Sequence, residues 1–198
     1  VDRAYWLALL GEAYDRRAWH GPNLRGAIRR VDATSAAWRP GPGRHGIADI
    51  TVHCAYWKYA VRRRIRGDKR GSFALPGSNW FTIPQRLTDS QWRDYVKLLD
   101  AEHATLLEAV ATAPQAVLEA VPPGKTKNLI AHIYAIAFHD VYHAGQIQTL
   151  KGLLKSRRES GILGNWKLVT SAPRQLRARR RTCAENRRSR RGPRPRPR

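Results

Sequence analysis

A chain of 198 residues with 42% hydrophobic content can build one compact domain with a real core, and is short for two. A net charge of +22 points toward nucleic acid or an anionic surface, whereas two cysteines, Cys54 and Cys183, exclude both a disulfide framework and a cysteine-based zinc site. No uninterrupted apolar run approaches the roughly 20 residues that span a bilayer, so the expected location is cytoplasmic, without membrane insertion.

Taken in order, residues 5–14 read as a short helix. Its apolar patch from Tyr5 to Leu10 is flanked by Asp2, Arg3, Glu12 and Asp15, which suits a soluble helix and not a secretory signal. Opening on Val1 in place of Met implies processing, trimming or an unusual start. After the break at Gly21 and Pro22, a second helical piece is expected over 22–31, with Pro22 in its first turn, where a missing N–H costs nothing. The run Arg39-Pro40-Gly41-Pro42-Gly43 is a connector. Residues 47–66 then form a long helix. Asp49, His53, Tyr56, Trp57 and Ala60 share one of its stripes, Arg62, Arg63, Arg64 and Arg66 gather where cations complement the helix dipole, and Gly67 ends it.

Residues 68–88 mix the breakers Gly71, Pro76, Gly77 and Pro84 with Phe73, Trp80 and Phe81, a long connection of the kind that often carries function. A third principal helix over 89–111 bears Trp92, Val96, Leu99, His103, Leu106 and Val110 on its apolar stripe, with Asp89 or Ser90 as its cap. Pro114, Pro122, Pro123 and Gly124 interrupt the chain before a last helix over 126–155. Four principal helices without a strand pattern predict an all-α four-helix bundle, with a long crossover connection between its second and third helices.

The charge is uneven. Residues 172–198 hold twelve Arg and one Glu, half of the net charge, and almost nothing to bury, so this Arg/Pro-rich tail is expected to be disordered. The expected organisation is a bundle over 1–156, an irregular connector over 157–171 and the tail over 172–198. Without aromatic residues for base stacking, binding of nucleic acid or an anionic surface through the tail is expected to be sequence-independent and steeply salt-dependent. Its Arg, Pro, Gly, Ser and Ala bias is equally what a GC-rich gene yields when read out of frame.

The chemistry concentrates in Phe138-His139-Asp140-Val141-Tyr142-His143-Ala144-Gly145-Gln146-Ile147. His139 and His143, four apart, lie one turn above the other on one helix face. Two imidazoles held that way can share a divalent metal, and His53, mid-helix on an aromatic-lined stripe, is the best third donor. Three imidazoles leave an ion an open position for water or substrate, the arrangement of a working site more than of a structural one. The alternative is a polar cluster in the core. Zinc or nickel is expected, with iron or manganese also compatible, because imidazole does not select sharply among them.

These residues also carry a resemblance. Ala18-Trp19-His20-Gly21-Pro22-Asn23-Leu24, His53-Cys54-Ala55-Tyr56-Trp57-Lys58-Tyr59, Arg70-Gly71-Ser72-Phe73, Gly77-Ser78-Asn79-Trp80-Phe81 and the segment from His139 to Ile147 fall in order over residues 5–156. As a set they resemble the DinB-like (YfiT-type) metalloenzymes. The resemblance implies a four-helix bundle with a divalent metal on His53, His139 and His143. It also implies, more loosely, a transferase or isomerase using a low-molecular-weight thiol.

Around that centre, Asp49, one turn before His53, is a candidate to orient its imidazole, or else a carboxylate serving the helix N-terminus. Gln146 is a candidate water or substrate contact, Tyr142 a packing residue. Arg70, Ser78, Asn79 and Trp80 are candidates to close over the metal and choose a substrate. His132 is a fallback ligand, His103 is ambiguous in the same way, His20 and His45 are expected to be structural, and Cys54 a small buried hydrophobe. Three functional classes follow. One is a metal-dependent enzyme acting on a small molecule, with a homodimer as an open option. Another is a non-catalytic metal-binding or stress-related bundle. The last is a binder of nucleic acid or an anionic surface through the tail.

Overall fold

A computed structural model describes residues 2–160, apart from Pro122 and Lys125. Among the described residues the chain is all helical: α1 (Arg3–Tyr14), α2 (Leu24–Ala27), α3 (Ala33–Ala37), α4 (Ile47–Arg66), α5 (Asp89–Thr112), α6 (Gln115–Glu119) and α7 (Leu129–Glu159). The long helices α1, α4, α5 and α7 form the bundle. Both α1 and α4 pack against α5 and α7, which puts α1 and α4 at opposite corners. No described helix is long and apolar enough to cross a membrane. The tail over 172–198, and the connector beyond residue 160, lie outside the described residues.

Local chemistry sets the helix ends, and corrects several expectations. The span of α4 is the expected one, closed by Gly67 in the left-handed region at φ 72°, a conformation that costs glycine little. Pro22 does not enter a helix. Asn23 caps the short α2 instead, its side-chain oxygen accepting the Gly26 N–H at 2.8 Å. The cap of α5 is Thr88, not Asp89 or Ser90. Thr88 Oγ1 accepts the Gln91 N–H at 3.2 Å while Gln91 Oε1 accepts the Thr88 N–H at 2.9 Å, a reciprocal capping box. The last helix starts at the Asn128 cap, later than expected, and runs on to Glu159. The five-residue α3 and α6 were not expected; so few residues give no periodic signal.

The core has two apolar halves. Ile47, Ile50 and Val52 of α4, Leu99 of α5 and Ile147 and Leu150 of α7 form one. Val61 and Ile65 of α4, Leu106 and Val110 of α5 and Ile133 and Ile136 of α7 form the other, with Trp6 and Leu10 of α1. Between them, at the same level on three helices, sit Lys58, His103 and Asp140, all buried. Lys58 Nζ donates to Asp140 Oδ2 and lies 3.3 Å from His103 Nδ1. It also stands 4.7 Å over the ring of Tyr14, which stacks on His103 at 3.8 Å.

The connection between α4 and α5 is fastened at both ends. Tyr59 Oη accepts from the backbone N–H and hydroxyl of Ser72, each at 3.2 Å. Farther along, Arg39 donates to Ile83 O at 2.9 Å while gripping Asp49 with two further bonds at 2.7 and 2.9 Å. Between these anchors the connection lies along α4, and its turn at Ser78, Asn79 and Trp80 reaches the histidines.

Candidate metal centre

The helical spacing of His139 and His143 on α7 sets both rings on one face, and the packing of α4 against α7 brings His53 to meet them. His139 Nε2 lies 3.0 Å from His53 Nε2 and 3.1 Å from His143 Nε2. The tautomers follow from the partners of the other ring nitrogens. His53 Nδ1 donates to the carbonyl of Asn79 at 2.9 Å, and His143 Nδ1 donates to Gln146 Oε1 at 2.7 Å. Each ring that donates through Nδ1 in its neutral form keeps a bare lone pair on Nε2. Two bare nitrogens therefore face a third, which can donate a proton to only one of them. That set fits a divalent ion, whose ligating histidines characteristically donate their other nitrogen in this way.

Burial keeps the three rings neutral. It lowers the pKa of His53, that of His139 to about 3 and that of His143 to about 4, with the neighbouring imidazoles adding to the shift of His139. Neutral imidazole is the ligating form, so the set is ready to bind at physiological pH. His139 Nδ1 is buried without a partner, as is Asp140 Oδ1. Ligand-type atoms of Cys54, His139 and Asp140 lie within 4.8 Å of one another behind the centre. Asp140 is already engaged by Lys58, and burial raises the Cys54 thiol well above its ordinary range.

In front of the histidines opens a cavity of about 570 Å³, lined by Ile50, Trp80, Tyr142 and Leu150 and by Arg44 and His45 from the connector before α4. Trp80 is sandwiched, stacking on His53 at 3.9 Å and on His45 at 3.6 Å. Asn79 holds the turn. It adopts φ 62°, a left-handed conformation that asparagine tolerates better than most residues. There its carbonyl meets His53, while its side-chain oxygen accepts the Trp57 indole N–H at 3.0 Å.

Several sequence readings are corrected here. Asp49 does not touch His53; of its two expected roles it takes the second, accepting the Gly46 N–H at 2.7 Å and the Arg39 guanidinium at the start of α4. Arg70 and Ser78 line a different cavity. Tyr142 is mostly exposed at the mouth of the site, accepting from Gln146 Nε2 at 2.9 Å. His45 belongs to the site and not merely to the scaffold, while His132 turns back to Asn128 O. The buried Lys58 and Asp140 behind the site were missed, because nothing in the sequence separates them from ordinary exposed helix charges.

Neither a curated protein nor a solved structure gives a significant match. The model of the DinB superfamily matches residues 16–147, more than half of the chain, and this span includes His53, His139 and His143. The chain belongs to the DinB superfamily.

Proposed function

We propose that the chain is a divalent-metal protein and an enzyme, transferring or adding a low-molecular-weight thiol to a small substrate in the cavity before His53, His139 and His143. The observation that carries the metal is the convergence of two bare Nε2 lone pairs on a third imidazole. Zinc or nickel is the favoured ion, with iron and manganese as alternatives. When bound, such an ion supplies a Lewis acid that brings the pKa of an adjacent thiol or water toward the physiological range.

The chain's own residues do the rest. Asn79 and Gln146 fix the His53 and His143 rings in the tautomer that presents Nε2. Ile50, Trp80 and Leu150 make an apolar wall that limits water, and Arg44, with no carboxylate partner among the described residues, is available to hold an anionic substrate group at the rim. The test is the metal content of protein purified without chelator, beside a His139→Ala, His143→Ala double variant. About one ion per chain, absent from the variant, is the expected result; equal, negligible metal in both would end the reading. Thiol-dependent turnover, screened with small electrophiles, should vanish in the same variant.

A second reading has its own support. None of the described residues lining the cavity is a carboxylate, and apart from the three proposed ligands only His45 and Tyr142 there could move a proton. A metal-binding bundle without catalysis is favoured if metal binds stoichiometrically and the thiol screen stays silent.

A further inference from the structure

A second cavity, of about 410 Å³, lies between the C-terminal half of α4 and the connection that follows it. It shares no lining residue with the cavity before the histidines. The two are neighbours, since Trp57 lines the second one and its ring stands 6.3 Å from that of His53.

Its lining is divided by chemistry. Arg63, Arg64 and Arg70 supply guanidinium groups, and Tyr56, Trp57 and Phe73 supply rings, with Tyr56 packed edge-on against Phe73 at 5.4 Å. The acids nearby are spent elsewhere. Arg62 takes Asp68 and Glu102, and Arg66 takes Glu108. Among the described residues Arg63, Arg64 and Arg70 form no ion pair; Arg63 donates only to the carbonyl of Asp68, at 3.0 Å. Burial, and then the like charges of Arg63 and Arg70, lower the pKa of Arg64. Three guanidinium groups around one partly enclosed space repel each other until an anion enters.

We propose that this cavity binds a small aromatic anion, its phosphate, carboxylate or sulfonate held by Arg63, Arg64 and Arg70 and its flat body laid against Tyr56, Trp57 and Phe73. Guanidinium groups offer forked donors to such oxyanions, and aromatic walls favour a flat apolar body over water. The site takes no part in the metal reading and stands or falls without it.

The experiment is calorimetric titration of the full chain with phenyl phosphate and, separately, inorganic phosphate. Phenyl phosphate should bind more tightly than inorganic phosphate, and an Arg64→Gln, Arg70→Gln variant should weaken phenyl phosphate by at least about tenfold. The twelve arginines of residues 172–198 are present in every arm, so only the difference between variants counts. Arg70→Gln alone, at an exposed position, gives a change that leaves the fold undisturbed and should weaken binding in the same direction. Unchanged affinity in both variants would overturn the proposal. So would a loss of phenyl phosphate binding in His139→Ala, His143→Ala, which would assign the anion to the histidine cavity.

Discussion

The same two helices carry two polar clusters that behave in opposite ways. From α4 come His53 and, five residues on, Lys58; from α7 come His139, His143 and, next to His139, Asp140. The histidine cluster ends on an open cavity with two bare lone pairs, of which His139 can satisfy only one. The cluster of Lys58 and Asp140 is fully enclosed, each side chain 0% exposed, and its two charges offset each other, although Asp140 Oδ1 has no partner among the described residues. Burial pushes the Asp140 carboxyl up to about 6 against the opposing pull of the Lys58 ammonium. What separates the two clusters is charge and access: the closed one holds two opposite charges that offset each other, whereas the open one turns neutral lone pairs toward a cavity.

The largest effect should come from unbalancing the closed cluster. Asp140→Ala strands a buried ammonium and is expected to cost about 3–5 kcal/mol in urea unfolding, whereas Lys58→Met with Asp140→Leu should be close to neutral. If the paired replacement is as damaging as the single one, the layer does more than balance charge.

Next, Gln146→Ala should leave unfolding nearly unchanged and weaken metal binding about 10–100-fold in chelator competition, because His143 loses the acceptor that sets its tautomer. Loss of fold in that variant would move Gln146 from the open cluster to the structural one.

A third effect is set by pH. The folded His139 and His143 take up protons only near pH 3 and 4, while in the unfolded chain they do so near their ordinary value of about 6.5. Between those limits the unfolded state binds more protons, so stability rises with pH and is lost on acidification. Metal-free protein should therefore lose up to about 2–3 kcal/mol per pH unit below about 6.5 through these two groups, and correspondingly less in His139→Leu, His143→Leu. An identical slope in both proteins would assign the acid sensitivity to other groups. Smallest, and outside both clusters, Thr88→Ala should cost about 1 kcal/mol through the lost cap of α5, with metal content unaffected.

Legibility followed the same divide. His139 and His143 could be paired from sequence because a helix fixes which residues share a face, and α4 could be bounded because Gly67 marks its end. Lys58 and Asp140 could not be read. A single charge in a helix is ordinarily solvated, and only the arrival of His103 and Tyr14 from α5 and α1 encloses these two. In the connections no period exists to read from. Asp49 was within reach of His53 along the helix, yet Arg39, ten residues earlier, claims it. Arg70, Ser78 and Trp80 looked like one mouth in sequence, but the left-handed turn at Asn79 leaves Trp80 on the histidines and Arg70 and Ser78 at the other cavity.

The sandwich of Trp80 between His45 and His53 has an optical consequence. If the proposed ion binds His53, the indole stacked on that ring would be close enough for a paramagnetic ion such as nickel to quench its emission, a route that zinc does not offer. Of the seven tryptophans, Trp57 is kept beside Trp80 because its indole N–H holds the Asn79 turn; emission that falls on adding nickel but not zinc would then report the occupant as well as the occupancy.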